Sequence, residues 1–277
     1  VPDEQTAAIA ATVTTTELSK LGASLPLGIQ HGGKLHRDIG IRPWRMKEER
    51  ELGALHAAAK EANVAEYVSL VLATMCTRLG PHDLAAMDKV EDRRLVINQM
   101  FMGDVFYAYM WLRVQSVGKE LTLRIKVPGR VDEVKYVADL ETTQVITADN
   151  YEACTHDYPL KNPFMIRGKL VQTLKLGPMR WAALEADRQL GMANKGHAKA
   201  MAIKAAIVGA DVYPGHGLQL TETELDELSK RDLEGITTQV DNKSIGPVMS
   251  IEDEYEGRPF KVGIDWRYDS FFAVSSE

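Results

Sequence analysis

Gly33-Lys34-Leu35-His36-Arg37-Asp38-Ile39-Gly40-Ile41-Arg42-Pro43-Trp44-Arg45 and Gly168-Lys169-Leu170-Val171-Gln172-Thr173-Leu174-Lys175-Leu176-Gly177-Pro178-Met179-Arg180 are one phrase written twice, without a gap, 135 residues apart (168 − 33 = 135). Gly, Lys, Leu, Pro and the Arg two places after Pro are identical, while Ile39 answers Leu174 and Ile41 answers Leu176. Each copy reads as a turn, a strand with one apolar face (Leu35, Ile39, Ile41; Leu170, Leu174, Leu176), then a helix opened by proline. Alternation at period two is the strand signal. Proline suits a first helical turn because its missing N–H would go unpaired there anyway. A repeat this widely spaced predicts two related halves and not a solenoid, whose units recur every few tens of residues.

Working outward, residues 21–33 are glycine-rich and read as a loop or loose hairpin. A helix charged on one side is expected over 44–63, then an apolar, buried helix over 64–79 that Gly80-Pro81 stops. Asp92 is a plausible cap for the longest helix, 93–116, whose stripe is Ile97, Met100, Phe101, Val105, Tyr109 and Leu112. A hairpin follows, 121–127 against 134–140, turned by Pro128-Gly129, and 142–163 is a connector with no assignment. The second half repeats the plan in shortened form, with helices over 178–190 and 198–208 and a Pro-Gly-His-Gly loop at 214–217. A capping box at Thr221-Glu222-Thr223-Glu224 opens another helix, and 232–242 is a weaker helical piece. A second hairpin pairs 248–251 with 260–266 around Glu256-Gly257. The hairpins align at a spacing of 126, Ile125 with Ile251, Val134 with Phe260, and Asp139-Leu140 with Asp265-Trp266 (265 − 139 = 126). The expected class is α+β: a flexible arm over 1–24, a first strand-helix-hairpin half over 25–150, and a shortened second half over 151–277 with an aromatic end.

The 277 residues are enough for one large domain or two modest ones, and a net charge of −6 with no Lys/Arg-rich run argues against a nucleic-acid surface. The apolar run 64–79 carries Glu66 and Arg78 and is too short to span a bilayer. Residues 1–20, rich in Ala and Thr, lack the basic start and apolar centre of a secretory signal, so a cytoplasm-type soluble protein is expected. Cys76 reads as a buried free thiol, and a disulfide to Cys154 is not expected.

The order of these pieces resembles a known family. A strand, Arg-Pro, a charged helix, an apolar helix closing in Leu112-Arg113-Val114-Gln115-Ser116-Val117-Gly118, a hairpin ending in Asp-Leu, and Ile264-Asp265-Trp266-Arg267-Tyr268-Asp269-Ser270-Phe271-Phe272 are similar to T4-type baseplate and tail-hub assembly proteins of contractile-tailed bacteriophages. The likeness runs from about residue 25 to the end. It implies a non-enzymatic protein that builds or anchors the baseplate hub, with hub, tube or sheath-proximal subunits as partners in a symmetric assembly. It implies residence in the virion, with the host cytoplasm as the place of assembly. Many members carry a Cys-Pro-x-Cys-Gly knuckle at the hairpin tip, where this chain has Val127-Pro128-Gly129-Arg130 and, in the second hairpin, Tyr255-Glu256-Gly257-Arg258. Structural zinc needs about four Cys or His ligands, so no metal or other cofactor is expected and the tips must be held by their own strands and neighbours. A transient tail-assembly chaperone, absent from the finished particle, is the alternative.

Cys154-Thr155-His156-Asp157 is the one place where thiol, imidazole and carboxylate lie together in sequence, but proximity in a connector does not supply the placed base a catalytic thiol needs. The seven histidines show no ligand spacing, and Glu252-Asp253-Glu254-Tyr255-Glu256 reads as a solvated hairpin tip. The partner-interface candidates are Pro128, Gly129 and Arg130 at one tip and Trp266, Tyr268, Phe271 and Phe272 at the end. Those aromatics either fold back on the core or insert into a partner.

Overall fold

The computed structural model describes residues 13–45, 48, 50, 64–185, 195–213, 218–242, 244–264 and 271–272. Helices and strands are both abundant, giving the α+β class, and the doubled phrase lies in the second strand of a hairpin in each half. In the first half β2 (Ser24–His31) turns at Gly32-Gly33 into β3 (Lys34–Ile41); α2 (Val64–Met75) then returns the chain so that β4 (Cys76–Leu79) pairs antiparallel with β3. In the second, β9 (His156–Ile166) turns at Arg167-Gly168 into β10 (Lys169–Leu176), and β11 (Ile207–Ala210) pairs antiparallel with β10 after α5 (Trp181–Glu185) and α6 (Lys195–Ala206).

The likeness extends to irregularities. Both turns are left-handed at both central residues, φ 56° and 74° at Gly32-Gly33 against 46° and 77° at Arg167-Gly168, the geometry that suits a two-residue hairpin. In both hairpins the first strand carries three extra residues: Ser24 faces Asp38 but Ile29 faces His36, and Pro159 faces Thr173 but Phe164 faces Val171. All four correspondences have the same spacing of 135 (159 − 24 = 135). The third strand then gains a residue at the same point, between Gly40 and Ile41 and between Lys175 and Leu176.

The long bulge corrects the predicted strand face. An odd insertion reverses which side the residues beyond it occupy. Leu174 and Leu176 are buried together with Val171, while Leu170 is turned out at 51% exposure. Ile39 is buried as expected and Leu35 is half-buried.

Several other expectations change. The flexible arm expected over 1–24 is corrected from residue 13 onward: residues 1–12 lie outside the described residues, but β1 (Val13–Glu17) pairs with β8 (Gln144–Ala148), and the helical turn α1 (Leu18–Leu21) buries Leu18. β8 lies in the unassigned connector. It also pairs with β12 (Gly246–Pro247), so one small sheet joins the start, middle and end of the chain. The apolar helix stops at Met75, because Cys76–Leu79 is needed as a strand beside β3; β5 (His82–Asp83) follows on it. Most of the predicted 44–63 helix, the 214–217 loop and the end of the 178–190 helix lie outside the described residues.

The predicted 93–116 helix is two helices, α3 (Val90–Ile97), capped at Lys89 and not Asp92, and α4 (Met102–Ser116). Between them Phe101 is extended and pairs with Arg180; Met102 N donates to Met179 O (2.8 Å) and Trp181 N to Met100 O (2.9 Å). The second copy of the phrase thus docks its Pro-Met-Arg segment into the break. All six stripe residues are buried nonetheless, so the apolar pattern held where the helical continuity did not.

β6 (Glu120–Ile125) and β7 (Val134–Asp139) follow α4. In the second half α7 (Glu222–Asp226), opened by the predicted capping box, and α8 (Lys230–Asn242) lead to β13 (Ser250–Tyr255) and β14 (Arg258–Gly263). The largest core includes both hairpins, α2, α4, Trp181 and Phe271, so the halves are packed on each other. Trp181 Nε1 donates to Ser69 Oγ (2.7 Å) across that contact. A separate core between Tyr158 and Ile236 belongs to the second half alone.

Candidate functional site

The two hairpins that follow the long helices pack on each other as one unit of two layers. Leu121, Leu123 and Ile125 of β6 and Ala138 of β7 point inward and are buried, and Phe260 of β14 faces them. Tyr136 of β7 stands edge-on to Phe260, ring centroids 4.9 Å apart, and its hydroxyl donates to the Asp253 carboxylate on β13. That bond pushes the phenol up to about 12 and, with the Glu254 N–H, holds the Asp253 carboxyl below its usual range.

At the tips, Gly129 at φ 82° after Pro128, with Arg130 N donating to Val127 O (3.1 Å), makes a type II turn. The other tip turns tightly at Glu256-Gly257, φ 51° and 75°. Arg130 pairs with Glu256 at 2.9 Å, and Arg258 Nη1 donates to Pro128 O at 3.0 Å. Arg130 and Glu256 are 126 residues apart, the spacing that relates Ile125 to Ile251. The single-spacing alignment fails on the return strand, however. Ile125 pairs with Val134 but Ile251 pairs with Val262, a partner two residues farther from the tip than Phe260, and the second hairpin goes on pairing to Tyr255 and Arg258.

Pro128, Gly129 and Arg130 are exposed as an interface would need, but their polar groups are already engaged with the second hairpin. The acidic run is likewise tied down, Glu252 by Lys261, Asp253 by Tyr136 and Glu256 by Arg130.

The terminal aromatics divide. Trp266 and Tyr268 lie outside the described residues, whereas Phe271 and Phe272 are folded back, 1% and 9% exposed, which corrects their place among the interface candidates. Phe271 stacks on Tyr109 of α4 (centroids 5.4 Å apart, 11° between planes), and Phe272 stands edge-on to the same ring (5.1 Å). Buried Arg113 fixes the segment, its Nε donating to Phe271 O at 2.7 Å and its other nitrogens to Gly118 O and Glu120 O. Phe271→Ala is expected to lower unfolding free energy by about 3 kcal/mol, read from denaturant midpoints, because it empties a site inside the chain.

Cys154 and His156 line one shallow cleft with Phe101, Gly103 and Ile245. Burial, then the charge of Asp104, pushes the Cys154 thiol up to about 12 against the opposing pull of Arg37, and the thiol donates to Asn150 O at 3.3 Å. This is the reverse of the depressed pKa that makes a nucleophile. Cys76 is buried too, pushed up to about 12 by desolvation, and both cysteines are free.

Sequence spacing missed two clusters. His31, His36 and His82, from β2, β3 and β5, come together, with His31 5.1 Å from His82 and 6.2 Å from His36 between ring centroids. Burial, then repulsion from the other two, holds His82 below its ordinary range. Among the described residues no three side chains of metal-binding type are placed to hold an ion.

The second cluster is a matched pair of buried aspartates, each the third residue of a long helix. Asp104 of α4 accepts from Leu27 N (2.8 Å) and Gly28 N (3.0 Å); Asp232 of α8 accepts from Lys161 N (2.7 Å) and Asn162 N (3.2 Å). Each carboxylate therefore closes the three-residue bulge of its own half. Among the described residues no helix is long and apolar enough to cross a membrane. Compared with protein-family models, curated proteins and solved structures, the chain shows no match.

Proposed function

We propose that this chain is a non-enzymatic structural and assembly protein of a contractile bacteriophage tail, one that builds or anchors the baseplate hub. The observation that carries the reading is the double hairpin. Each hairpin is a two-stranded sheet, so the outer edges of β6, β7, β13 and β14 bear no further strand among the described residues. Open strand edges accept main-chain hydrogen bonds from another chain, and alternate side chains select the partner. Tying the tips together presents those edges as one pre-ordered unit, which lowers the entropy lost on docking. The order of these pieces in the sequence, with its likeness to tail-hub proteins, supports a symmetric assembly with hub, tube or sheath-proximal subunits as partners, and we assign no part to nucleic acid or membrane.

The same open edges suit a chaperone that holds a tail subunit and then leaves. Quantitative peptide mass spectrometry of purified mature tails, scaled to a ring protein, separates the two. A fixed stoichiometry of a few copies per tail is expected. Abundance in lysates with absence from tails would replace the resident subunit by the chaperone.

A further inference from the structure

We infer that the outer face of the first hairpin is a self-complementary surface on which a second copy of this chain docks about a twofold axis. β6 and β7 pair in the rows Glu120–Asp139, Thr122–Val137 and Arg124–Lys135, all turned away from the buried Leu121, Leu123 and Ala138. The first row is acidic and the last is basic. Like charges directly opposite one another weaken a strand pair, so both rows lack something. Lys119 answers part of the acidic row, at 2.9 Å from Asp139 and 3.4 Å from Glu141. Arg124 and Lys135 are exposed, and no ion pair to either is formed among the described residues. Lys126 continues the basic end. Between the rows Val137 is 50% exposed, a large apolar group half turned to the surface.

The charged rows lie two residues either side of Thr122–Val137, about 7 Å each way. A twofold axis between two such faces, running across the strands through that central row, sets each basic row over the acidic row of the second copy. Arg124 meets Glu120 of the second copy, Lys135 meets Asp139 of the second copy, and Val137 meets its own twin. An axis along the strands would set like over like, so charge fixes the orientation as well as the contact. Within the chain the inner faces of the two hairpins already stack in this sheet-on-sheet manner. One hairpin face is smaller than the roughly 800 Å² per partner of a standard interface, so the association is weak and sensitive to salt. The pairing does not depend on any tail partner.

Val137→Cys tests it in the full chain, since both native cysteines are buried. A residue on the axis faces its own twin, so this variant is expected to form a disulfide-linked dimer under mild oxidation about tenfold faster than Val131→Cys, because docking raises the local thiol concentration. Val131 is fully exposed at the tip and serves as the collision control. The advantage disappears in about 1 M salt. Arg124→Glu in the Val137→Cys background removes it at low salt, and adding Glu120→Arg restores it. Equal rates for the two cysteine variants, or no effect of Arg124→Glu, would overturn the proposal. Sedimentation velocity of the unmodified chain at low salt is the second reading, where a monomer with no trend up to about 0.1 mM counts against it.

Discussion

Asp104→Ala is expected to lower the unfolding free energy by about 4 kcal/mol near pH 5, and by less above pH 6. The carboxylate is fully buried and holds the N–H groups of Leu27 and Gly28 where the chain makes its three-residue detour. It also accepts from the backbone of Phe101, the residue that caps α4. Alanine leaves those donors in an apolar wall with no acceptor, and each orphaned buried donor costs about 1–3 kcal/mol. The bulge has little room to find another solution. Gly28 sits at φ 97°, and a Cβ there would lie 2.5 Å from His36 O.

The pH dependence follows from burial, which pushes the Asp104 carboxyl up to about 6 against the pull of its backbone donors and Arg37. Between the ordinary carboxylate value and 6 the folded chain retains a proton that the unfolded chain has released. Stability therefore falls as pH rises through that window, by about 3 kcal/mol, and Asp104→Ala, lacking the group, does not share the fall. Asp232 behaves the other way. Desolvation works against its charge, but it lies under a thinner cover, and the Ser229 hydroxyl (2.6 Å) with the Lys161 and Asn162 N–H groups holds its carboxyl below the usual range. Its contribution is present at neutral pH and lost as pH falls through the acid range. The deficit of Asp104→Ala should shrink from pH 5 to 7, while that of Asp232→Ala should grow from acid to neutral pH. Denaturant midpoints at four or five pH values check both; parallel curves would count against the assignment.

These aspartates show what was and was not legible in the chain. The doubled phrase carried its own register, because Gly33 and Gly168 mark turns and the alternation after them marks strands. The match reached past the phrase to Ser24 and Pro159, where no residue identity signals it. Bulges are specified by three-dimensional closure: the carboxylate that seals each one lies 70 to 77 residues later in the chain, and only the fold brings it there. Period-two reading consequently placed Leu170 on the wrong face, since nothing local announces three extra residues in the partner strand. Phe271 and Phe272 were legible as apolar area but not as core, because the groups that hold them, Tyr109 and Arg113, lie more than 150 residues away in sequence. The His31, His36 and His82 cluster escaped for the same reason. The capping box at Thr221, by contrast, is complete within four residues and formed as read.

Gly103→Ala is expected to be the most damaging single methyl addition in the described chain, lowering stability by about 4 kcal/mol or preventing folding. Glycine inside a helix costs about 1 kcal/mol relative to alanine, so on propensity alone the exchange should stabilise α4. The packing reverses that sign. A Cβ at Gly103 would lie 1.7 Å from Ile245 O and 2.5 Å from its carbonyl carbon, both of them backbone atoms. On the other side Gly246, at φ 115°, has no room for a Cβ either, with Gly103 Cα only 2.5 Å from the position it would take. The two glycines are a backbone-to-backbone crossing, and β12 is the strand through which the second half joins β8 and hence β1. Pushing it away by the width of a methyl group breaks the Gly246 and Pro247 pairing with β8 and opens the third core around Phe101, Tyr151 and Ile245. Gly118→Ala provides the comparison. Unlike Gly103 it sits at positive φ, 113°, but nothing lies within 4 Å of its added Cβ, so it reports backbone strain of about 1 kcal/mol alone. Thermal melts of the two variants should differ widely. Near-equal melting temperatures would mean that β12 can slide on α4, and that the crossing does not fix the second half against the first.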